Sequence, residues 1–552
     1  MREGNFGLAE ERDADHLRSV ALDVVSQLER NLSTALATVR EWKNSFVPIN
    51  RIPLDILSLI PTHLSSQKDR FRASLVCSHW RKVFLQHGAL WSQLFLGKGE
   101  EYMNTLLDRT QGSALDIEIG PNAPLSTIAR LSHHARRIKH LDFPKNLWSQ
   151  ILMFSQVDSG SLPLLRTLSM HVITSKFGQL NLLDIPSPSL FSSAVNLKEF
   201  TLNTQQAGLL KHFVFPNLTT LKLSAPKMDE LNTSHLFNFL KASPTLRTVN
   251  LTIDGGMMLG SIPKDMVLVL PNVETFSVFL SNNDLQAYGP VVHISCPRAK
   301  CTSISQEIFD KDMVPVLEIF PDFVSLAAIA QQYTTSPVEE VTLEIEDDMS
   351  IEFVYSLTFR SSDATVIELS SGVAITVSEG EDFGLSWDVI HLEIFSQACR
   401  TIRSHPLLSH IKRLHFEDKT GTLGAHCVIP MAEVVRDLFR SLGPLDELSI
   451  RGFDLQIFLS PFLDLPEFQQ FQRIFPPVKE LTISEKWMVD KQRCADAIVE
   501  LAKSQYDIGK RFERITIHAS EVPTALAERL RQWVNVADCY ELLNPPSEEE
   551  EF

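Results

Sequence analysis

The 552-residue sequence has no run of about 18 apolar residues, the length that a membrane-spanning helix requires. Its N-terminus, MREGNFGLAEERDADHLR, is charged where a secretory signal peptide carries an apolar run. Basic residues are also scarce, since 51 Lys and Arg face 68 Asp and Glu, a formal net charge of −17. This excess of negative charge disfavours binding to phosphate backbones. We therefore expect an intracellular protein, cytoplasmic, nuclear or both, that binds neither membranes nor nucleic acid.

Sequence patterns of metal sites and enzymes are also lacking. The seven cysteines are widely spaced, and Cys296 and Cys301 form a lone C-x4-C rather than the two short clusters of a zinc site. The sequence contains no G-x-x-x-x-G-K, G-x-S-x-G or H-E-x-x-H motif. It therefore predicts no catalytic residue, no metal and no cofactor, and a protein that is not an enzyme.

The composition is that of a folded chain, with 44% hydrophobic and 22% charged residues. Its length predicts two to four domains or one long repeat array. Shifts in pattern along the chain divide it into four segments: an amphipathic helix at 1–46, short helices at 47–96, a repeat region at 112–537 and an acidic tail at 538–552.

The first segment has no Gly or Pro from Asp13 to Phe46. Its apolar residues follow steps of three and four and so form one stripe along a helix. We expect this stripe to pack on the next domain. A short coiled coil, and hence a dimer, is the alternative, but the heptad register drifts. The stripe consists of Leu17, Val20, Ala21, Val24, Val25, Leu28, Leu32, Leu36, Val39 and Trp42.

The second segment predicts three short helices. Pro53 suits the first turn of a helix, and Pro61 stops that helix. The polar stretch SSQKD precedes a second helix, and Ser78 is placed to cap a third. About 45 residues form a small core with much apolar surface left over, so this module requires a partner.

The residues of this segment resemble the F-box family, in I-P-L-D-I-L-x-x-I followed by L-V-C-S-H-W-R-K-V and Leu90-Trp91. Ile52 and Asp55 replace the usual Leu and Glu. The resemblance implies binding to the Skp adaptor and, through it, to a cullin–RING ubiquitin ligase. The family's binding surface would fall on Ile52, Pro53, Leu54, Ile56, Leu57, Ile60, Leu75, Val76, Cys77, Trp80 and Arg81.

The third segment repeats the unit apolar-x-x-apolar-x-apolar, typical of a strand. Seven of its eleven occurrences have a Pro one or two residues earlier, where 29 Pro in the chain would give about one by chance. A turn leading into a strand at this interval is typical of a solenoid. The units begin at Ile138, Leu165, Leu197, Leu218, Leu246, Val273, Val338, Ile411, Leu445, Val478 and Phe512.

The unit resembles the strand segment of leucine-rich repeats, although it lacks their Asn and its spacing is uneven. We expect an α/β fold: an N-terminal helix, a small three-helix F-box and an irregular leucine-rich-repeat-like solenoid. The long gap after Val273 has room for one degenerate repeat. The gap after Val338 contains alternating residues and a Ser-Gly turn, which predicts an antiparallel insertion.

The positions between the apolar residues of each unit face away from the core, and the charged ones concentrate toward the C-terminus. Their proposed role is to bind a protein target: Arg413, His415, Glu447, Glu480 and Arg514. The order of segments resembles the large F-box families of fungi, and implies a substrate receptor of a Skp–cullin–F-box ligase. The alternatives are an F-box scaffold that delivers no substrate, and a repeat-based interaction protein with no role in ubiquitination.

Overall fold

The computed structural model divides the chain into two compact units, residues 1–144 with 161–165, and residues 145–160 with 166–552. The structure describes residues 7–64, 66–97, 99–144, 151, 162–172, 191–204, 207–225, 230–254, 267–281, 294–310, 338–348, 352–362, 364–375, 395–396, 398–400, 402–403, 410–419, 428–453, 455, 458, 475–485, 491–519 and 525–541.

The first unit begins with four helices. They are α1 (Gly7–Ser45), α2 (Leu54–Leu59), α3 (Gln67–Ala73) and α4 (Ser78–Gln86), with 3-10 helices at Pro48–Arg51, Ile60–His63 and Gly88–Trp91.

Local residues set the bounds of these helices. Pro53 directly precedes α2, and the hydroxyl of Ser66 accepts a hydrogen bond from the backbone N–H of Lys68 at 3.2 Å, which caps α3. The prediction that Ser78 caps α4 is wrong. Ser78 is the first residue of the helix, and the capping position belongs to Cys77, whose side chain forms no cap hydrogen bond.

The same unit ends in alternating strands and helices. These are β1 (Gln93–Phe95), α5 (Glu100–Arg109), β2 (Leu115–Glu118), α6 (Leu125–Ser132) and β3 (Ile138–Phe143). Strand β2 pairs with β1 on one side and with β3 on the other, and both pairs are parallel. Parallel pairing follows from the helical connections, because a crossover is needed to return the chain in the same direction.

The second unit contains a large sheet. Its strands are β4 (Thr167–Val172), β5 (Glu199–Thr204), β6 (Thr220–Ala225), β7 (Thr248–Asp254), β9 (Thr275–Ser281), β11 (Cys301–Asp310), β12 (Val338–Asp348), β13 (Glu352–Ser361), β14 (Val366–Ile375), β15 (Arg413–Asp418), β16 (Leu445–Arg451), β17 (Val478–Glu485), β18 (Arg514–Ala519) and β19 (Val536–Glu541). Strands β8 (Leu268–Val269) and β10 (Ile294–Ser295) pair separately, also in parallel.

Neighbours in this sheet are mostly neighbours in the chain. The spatial order is β4, β5, β6, β7, β9, β11, β14, β13, β12, β15, β16, β17, β18, β19. Every pair is parallel except the two pairs that β13 forms. Helices α7 (Glu230–Lys241), α8 (Val428–Ser441), α9 (Lys491–Asp507) and α10 (Leu526–Leu530) lie between strands along the chain.

The structure confirms a mixed α/β protein with an N-terminal helix and a sheet that is mainly parallel. Each of the eleven sequence units overlaps a strand, from β3 to β18. The antiparallel strands predicted after Val338 are present as β12, β13 and β14. The predicted Ser-Gly turn is wrong, because Ser371 and Gly372 lie inside β14, and the antiparallel pairing of β13 with β14 places the reversal of the chain before Val366. Strand β19 continues to Glu541, past the start of the predicted tail, whose residues 542–552 lie outside the described part of the chain.

Period-two alternation determines which residues of each strand are buried. In β15, Leu414 and Phe416 are buried, whereas Arg413 and His415 lie on the other face. The buried face packs against aromatic side chains from the connections. Phe416 lies 5.0 Å, centroid to centroid, from Phe458, and the ring of Phe200 on β5 lies 5.1 Å from two other rings, Phe213 and Phe215.

The apolar stripe of α1 is exposed. Leu17, Leu32 and Trp42 retain 69%, 70% and 67% of their surface. The prediction that this stripe packs on the next domain is therefore wrong for the described side chains. The sequence pattern identified an apolar face correctly, but periodicity gives no information about what covers that face.

Candidate functional site

The segment from α2 to α4 is built on a compact apolar core. Leu57 from α2 and Phe84 from α4 have no exposed surface, and Trp91 retains only 1%. The indole N–H of Trp91 donates a hydrogen bond to the backbone oxygen of Phe84 at 2.8 Å, which satisfies its polar group inside the core. The core therefore fixes the end of α4 relative to the chain that follows it.

Arg70 holds this core together through its buried guanidinium. It donates hydrogen bonds to the backbone oxygens of Leu64 at 2.8 Å and Leu90 at 3.0 Å, and to the side-chain oxygen of Gln93. Burial lowers the pKa of Arg70 from its ordinary value. A guanidinium with several fixed donors is suited to joining chain segments in this way. Arg70 thus connects α3 to the chain before it, at Leu64, and to the chain beyond α4, at Leu90 and Gln93.

Asn50 links α4 to the end of α1. Its side-chain oxygen accepts a hydrogen bond from the indole N–H of Trp80 at 2.9 Å, and its amide donates to the backbone oxygen of Asn44 at 2.7 Å. The hydroxyl of Ser78 adds a second link, donating to Glu41 of α1 at 3.1 Å. These bonds join the last turns of α1 to the α2–α4 segment.

An apolar surface remains on this segment. Ile56 and Leu59 on α2 are 49% and 53% exposed, and Leu75 and Val76, between α3 and α4, are 53% and 63% exposed. We call these four residues the apolar patch. Large apolar side chains on a small domain are candidates for a protein interface.

The sequence-predicted binding residues divide by burial. Pro53, Ile56, Leu75, Val76 and Arg81 are exposed, and Ile52, Ile60 and Cys77 are half-buried. Leu57 and Trp80 are buried, so they act from the core rather than at the surface. Leu54 begins α2, but its side chain lies outside the described part of the structure.

Sequence reasoning missed Leu59 and Asn50. Leu59 lies three residues after Ile56 and therefore shares its helix face, a signal that the sequence did contain. Asn50 lies in the 3-10 helix Pro48–Arg51 that precedes α2, and no sequence pattern marks it as the partner of Trp80.

A second feature is a row of charged residues across one face of the large sheet. Arg360, Glu340, Arg413, Glu447, Glu480 and Arg514 are successive cross-strand partners on β13, β12, β15, β16, β17 and β18. We call these six residues the charged row. The row contains four of the five predicted target-binding residues, and His415 lies two positions after Arg413 on β15.

Ion pairs form at the ends of this row, whereas two carboxylates are neighbours in its middle, each with an Arg on its other side. Glu340 accepts ion pairs from Arg413 at 3.1 Å and from Arg360 at 3.4 Å, and Arg514 lies 3.9 Å from Asp538 on β19. Glu447 and Glu480 lie directly opposite each other on β16 and β17. Like charges in this position repel, so the middle of the row favours a cationic group.

His415 lies beside Glu447, one of the two carboxylates at the middle of the row. Its ring nitrogen lies 4.0 Å from Glu447. Burial lowers the pKa of His415, and the nearby Glu447 and Glu340 oppose that shift without reversing it. The imidazole is therefore neutral at physiological pH.

We expect His415 to make the fold less stable in mild acid. Because its pKa is lowered in the folded state, the unfolded chain takes up the proton first as the pH falls below the ordinary value of 6.5. The melting temperature of the wild type should therefore fall more between about pH 7.5 and about pH 5.5 than that of a His415→Gln variant. Equal falls in both proteins, measured by differential scanning calorimetry, would contradict this assignment.

Metal and thiol chemistry find little support in the described residues. Across that part of the chain, no three His, Cys, Asp or Glu side chains come together as a metal site. Burial raises the pKa of Cys296 to about 12, and burial with the nearby Glu368 raises the pKa of Cys301. Thiolates are the reactive and metal-binding form, so these two cysteines are poor ligands and nucleophiles.

None of the described helices combines the length and apolar character needed to span a bilayer.

Part of the chain matches a known protein family. Residues 49–97 match the family model of F-box-like domains, a range that includes α2, α3 and α4. No curated protein matches the chain. The chain therefore contains an F-box-like domain, which covers the apolar patch and all eleven residues predicted for adaptor binding.

Proposed function

We propose that this protein is a substrate-recognition subunit of a Skp–cullin–F-box ubiquitin ligase. The observation that carries the proposal is the F-box-like domain at 49–97, together with the apolar patch that it exposes. F-box domains bind Skp-type adaptors generally. The cullin and a protein target are the further partners that this role requires.

The docking step would bury the apolar patch against the adaptor. Fully burying a Leu, Ile or Val side chain contributes roughly 1.5–3 kcal/mol, and because these four are already about half buried, each would contribute about half of that. Pro53 and Arg81 lie on the exposed part of the same domain and are proposed to contact the adaptor with them. Leu57 and Trp80 would contribute indirectly, by holding the patch in shape from the core.

The sheet of the second unit would bind the target. Its strands mostly follow each other in space as they do in the chain, which supports an irregular solenoid similar to leucine-rich repeats. The charged row lies on the face opposite the buried apolar residues. The neighbouring carboxylates Glu447 and Glu480 favour a target segment that carries Lys or Arg.

The receptor would act by proximity. Binding the adaptor through one domain and the target through another raises the concentration of target lysines near a ubiquitin-charged enzyme on the cullin. The gain is positional, and this chain is proposed to donate no catalytic residue.

Adaptor binding is the first test. We expect the full chain, co-expressed with a Skp adaptor, to co-elute with it as a stoichiometric complex. The double substitution Leu75→Glu and Val76→Glu should abolish co-elution, because it places two charges in the apolar patch. The matched control is Leu125→Glu on α6, a residue of the same unit that is 49% exposed and lies outside the matched domain.

A wild-type chain that folds and elutes alone would overturn the proposal. If the double variant still co-elutes with the adaptor, the adaptor-binding surface lies outside the apolar patch. If the complex forms, turnover of a bound partner separates a degradation receptor from a scaffold with no role in ubiquitination.

A further inference from the structure

Seven residues of the exposed stripe of α1, together with Ala35, have a more regular spacing than heptads alone suggest. Steps of four, three, four, four, three, four and three residues connect eight positions, and the two consecutive steps of four form a stutter. A stutter locally unwinds a coiled coil and lets an apolar seam continue along one face of the helix. We call these positions the α1 seam: Leu17, Ala21, Val24, Leu28, Leu32, Ala35, Val39 and Trp42.

The α1 seam is open to solvent along its whole length. Its large side chains retain between 53% and 70% of their surface. Helix α1 is 39 residues long, which corresponds to about 58 Å. An isolated helix gains little stability without an apolar face packed against something, so a partner for this face is required.

The positions of the seam are symmetric about Leu28. In an antiparallel pair centred on this residue, Leu28 meets Leu28 of the second helix, and Val24 meets Leu32. Further out, Ala21 meets Ala35 and Leu17 meets Val39, so these seven seam residues all find seam partners. The alanine pair places small residues at one level, which allows the two backbones to approach closely.

The charges of α1 favour the same direction. Residues 7–26 carry five acidic and two basic side chains, a formal charge of −3, whereas residues 27–45 carry two acidic and three basic side chains, a formal charge of +1. An antiparallel pair places the acidic half of one helix beside the basic half of the other. A parallel pair would place the two acidic halves together, which is unfavourable.

We propose that α1 pairs with α1 of a second copy of this chain, as an antiparallel two-helix coiled coil centred on Leu28. The symmetric seam forms an isologous interface, in which the same patch serves both copies. The dimer would join two F-box-like domains through the links that Asn50 and Ser78 form with the last turns of α1. The proposal rests on α1 alone and does not depend on the ligase assignment.

The mass of the full chain in solution is the first test. Size-exclusion chromatography with light scattering should give twice the mass of one chain at micromolar concentration. Leu28→Glu should halve that mass, because two carboxylates would meet at the centre of the pair. Ala37→Glu, which adds the same charge on the opposite side of α1, should leave the dimer intact. A monomeric wild type, or a Leu28→Glu variant that stays dimeric, would overturn the proposal.

The antiparallel direction of the helix pair is tested by introducing opposite charges at Leu17 and Val39. Each single substitution, Leu17→Glu or Val39→Lys, should weaken the dimer. Combining both in one chain should restore the dimer, since an antiparallel pair places each Glu beside a Lys of the other copy. In a parallel pair like charges would meet, so a monomeric double variant would contradict the antiparallel arrangement. An unchanged melting temperature for the rest of the protein distinguishes lost pairing from lost folding.

Discussion

Replacing Gly452 with Ala should destabilise the second unit by about 3 kcal/mol or more. Gly452 follows β16 with a φ of +73°, a left-handed conformation that residues with a Cβ adopt at a cost. A Cβ atom there would lie 1.8 Å from the backbone oxygen of Asp418, at the end of β15. The backbone N–H of Gly452 also donates to Ser484 at 2.7 Å, which restricts the movement that could relieve the clash.

The matched control is Gly443→Ala, in the connection between α8 and β16. A Cβ atom at Gly443 would have nothing within 4 Å. We expect thermal unfolding, followed by circular dichroism, to shift strongly to lower temperature for Gly452→Ala and very little for Gly443→Ala. Similar curves for the two variants would show that the backbone near Asp418 can move aside.

Replacing Trp91 with Ala should destabilise the F-box-like domain by about 3–5 kcal/mol. Trp91 is 1% exposed, and its indole donates to the backbone oxygen of Phe84. The guanidinium carbon of Arg109 lies 4.8 Å from its ring centroid, a cation–π contact that the substitution also removes. The loss should appear as a lower midpoint in urea unfolding, and co-elution with a Skp adaptor should fall with it.

Trp91→Phe is the conservative comparison. It keeps an aromatic ring over which Arg109 can remain, but loses the hydrogen bond to Phe84, and should cost about 1–3 kcal/mol. The Leu75→Glu and Val76→Glu variant should instead lose adaptor binding with its unfolding midpoint nearly unchanged, because both residues are exposed. If Trp91→Ala unfolds at the wild-type denaturant concentration, the core described around Phe84 is wrong.

The strands of the large sheet were predictable because their signal is local. A proline turn followed by alternating apolar residues marks β6 and β16, and such a pattern requires no knowledge of distant residues. The sequence did not predict strand β11 as a strand, although it lies in the gap between the units at Val273 and Val338, which had room for a repeat. Its core positions include Thr302, fully buried in place of an apolar residue, whose hydroxyl has no hydrogen-bond partner in the described structure.

The candidate site was predictable as a segment but not as a surface. The F-box resemblance identified both Ile56 and Leu57, neighbours in the chain, yet Ile56 is half exposed and Leu57 is completely buried. Which of two adjacent apolar residues faces inward depends on how α2 packs against α4, and this is set by tertiary contacts. The hydrogen bond between Asn50 and Trp80 spans 30 residues and has no local signal.

The residues of the charged row were predictable from the sequence, but their alignment was not. Sequence reasoning selected Arg413, Glu447, Glu480 and Arg514 one by one, from their positions within separate units. Their alignment in one row depends on strand register, which the pairing of each strand with its neighbour determines. Glu340 and Arg360 belong to the row because β12 pairs with both β13 and β15. The repeated sequence units did not predict this order of pairing.

Strands β12, β13 and β14 run through the sheet in the reverse of their chain order, and this affects how the sheet can assemble. Cys301 on β11 pairs with Val366 on β14, and Glu340 on β12 pairs with Arg413 on β15, partners that are more than sixty positions apart. Elsewhere each strand pairs mostly with the next one along the chain. The loop-closure entropy lost per ladder is therefore largest at these two, although by only about 1 kcal/mol or less each, because it grows with the logarithm of loop length. The strands on either side can form from local contacts, while the junction between them depends on contacts of high sequence separation, which are the slow ones to form.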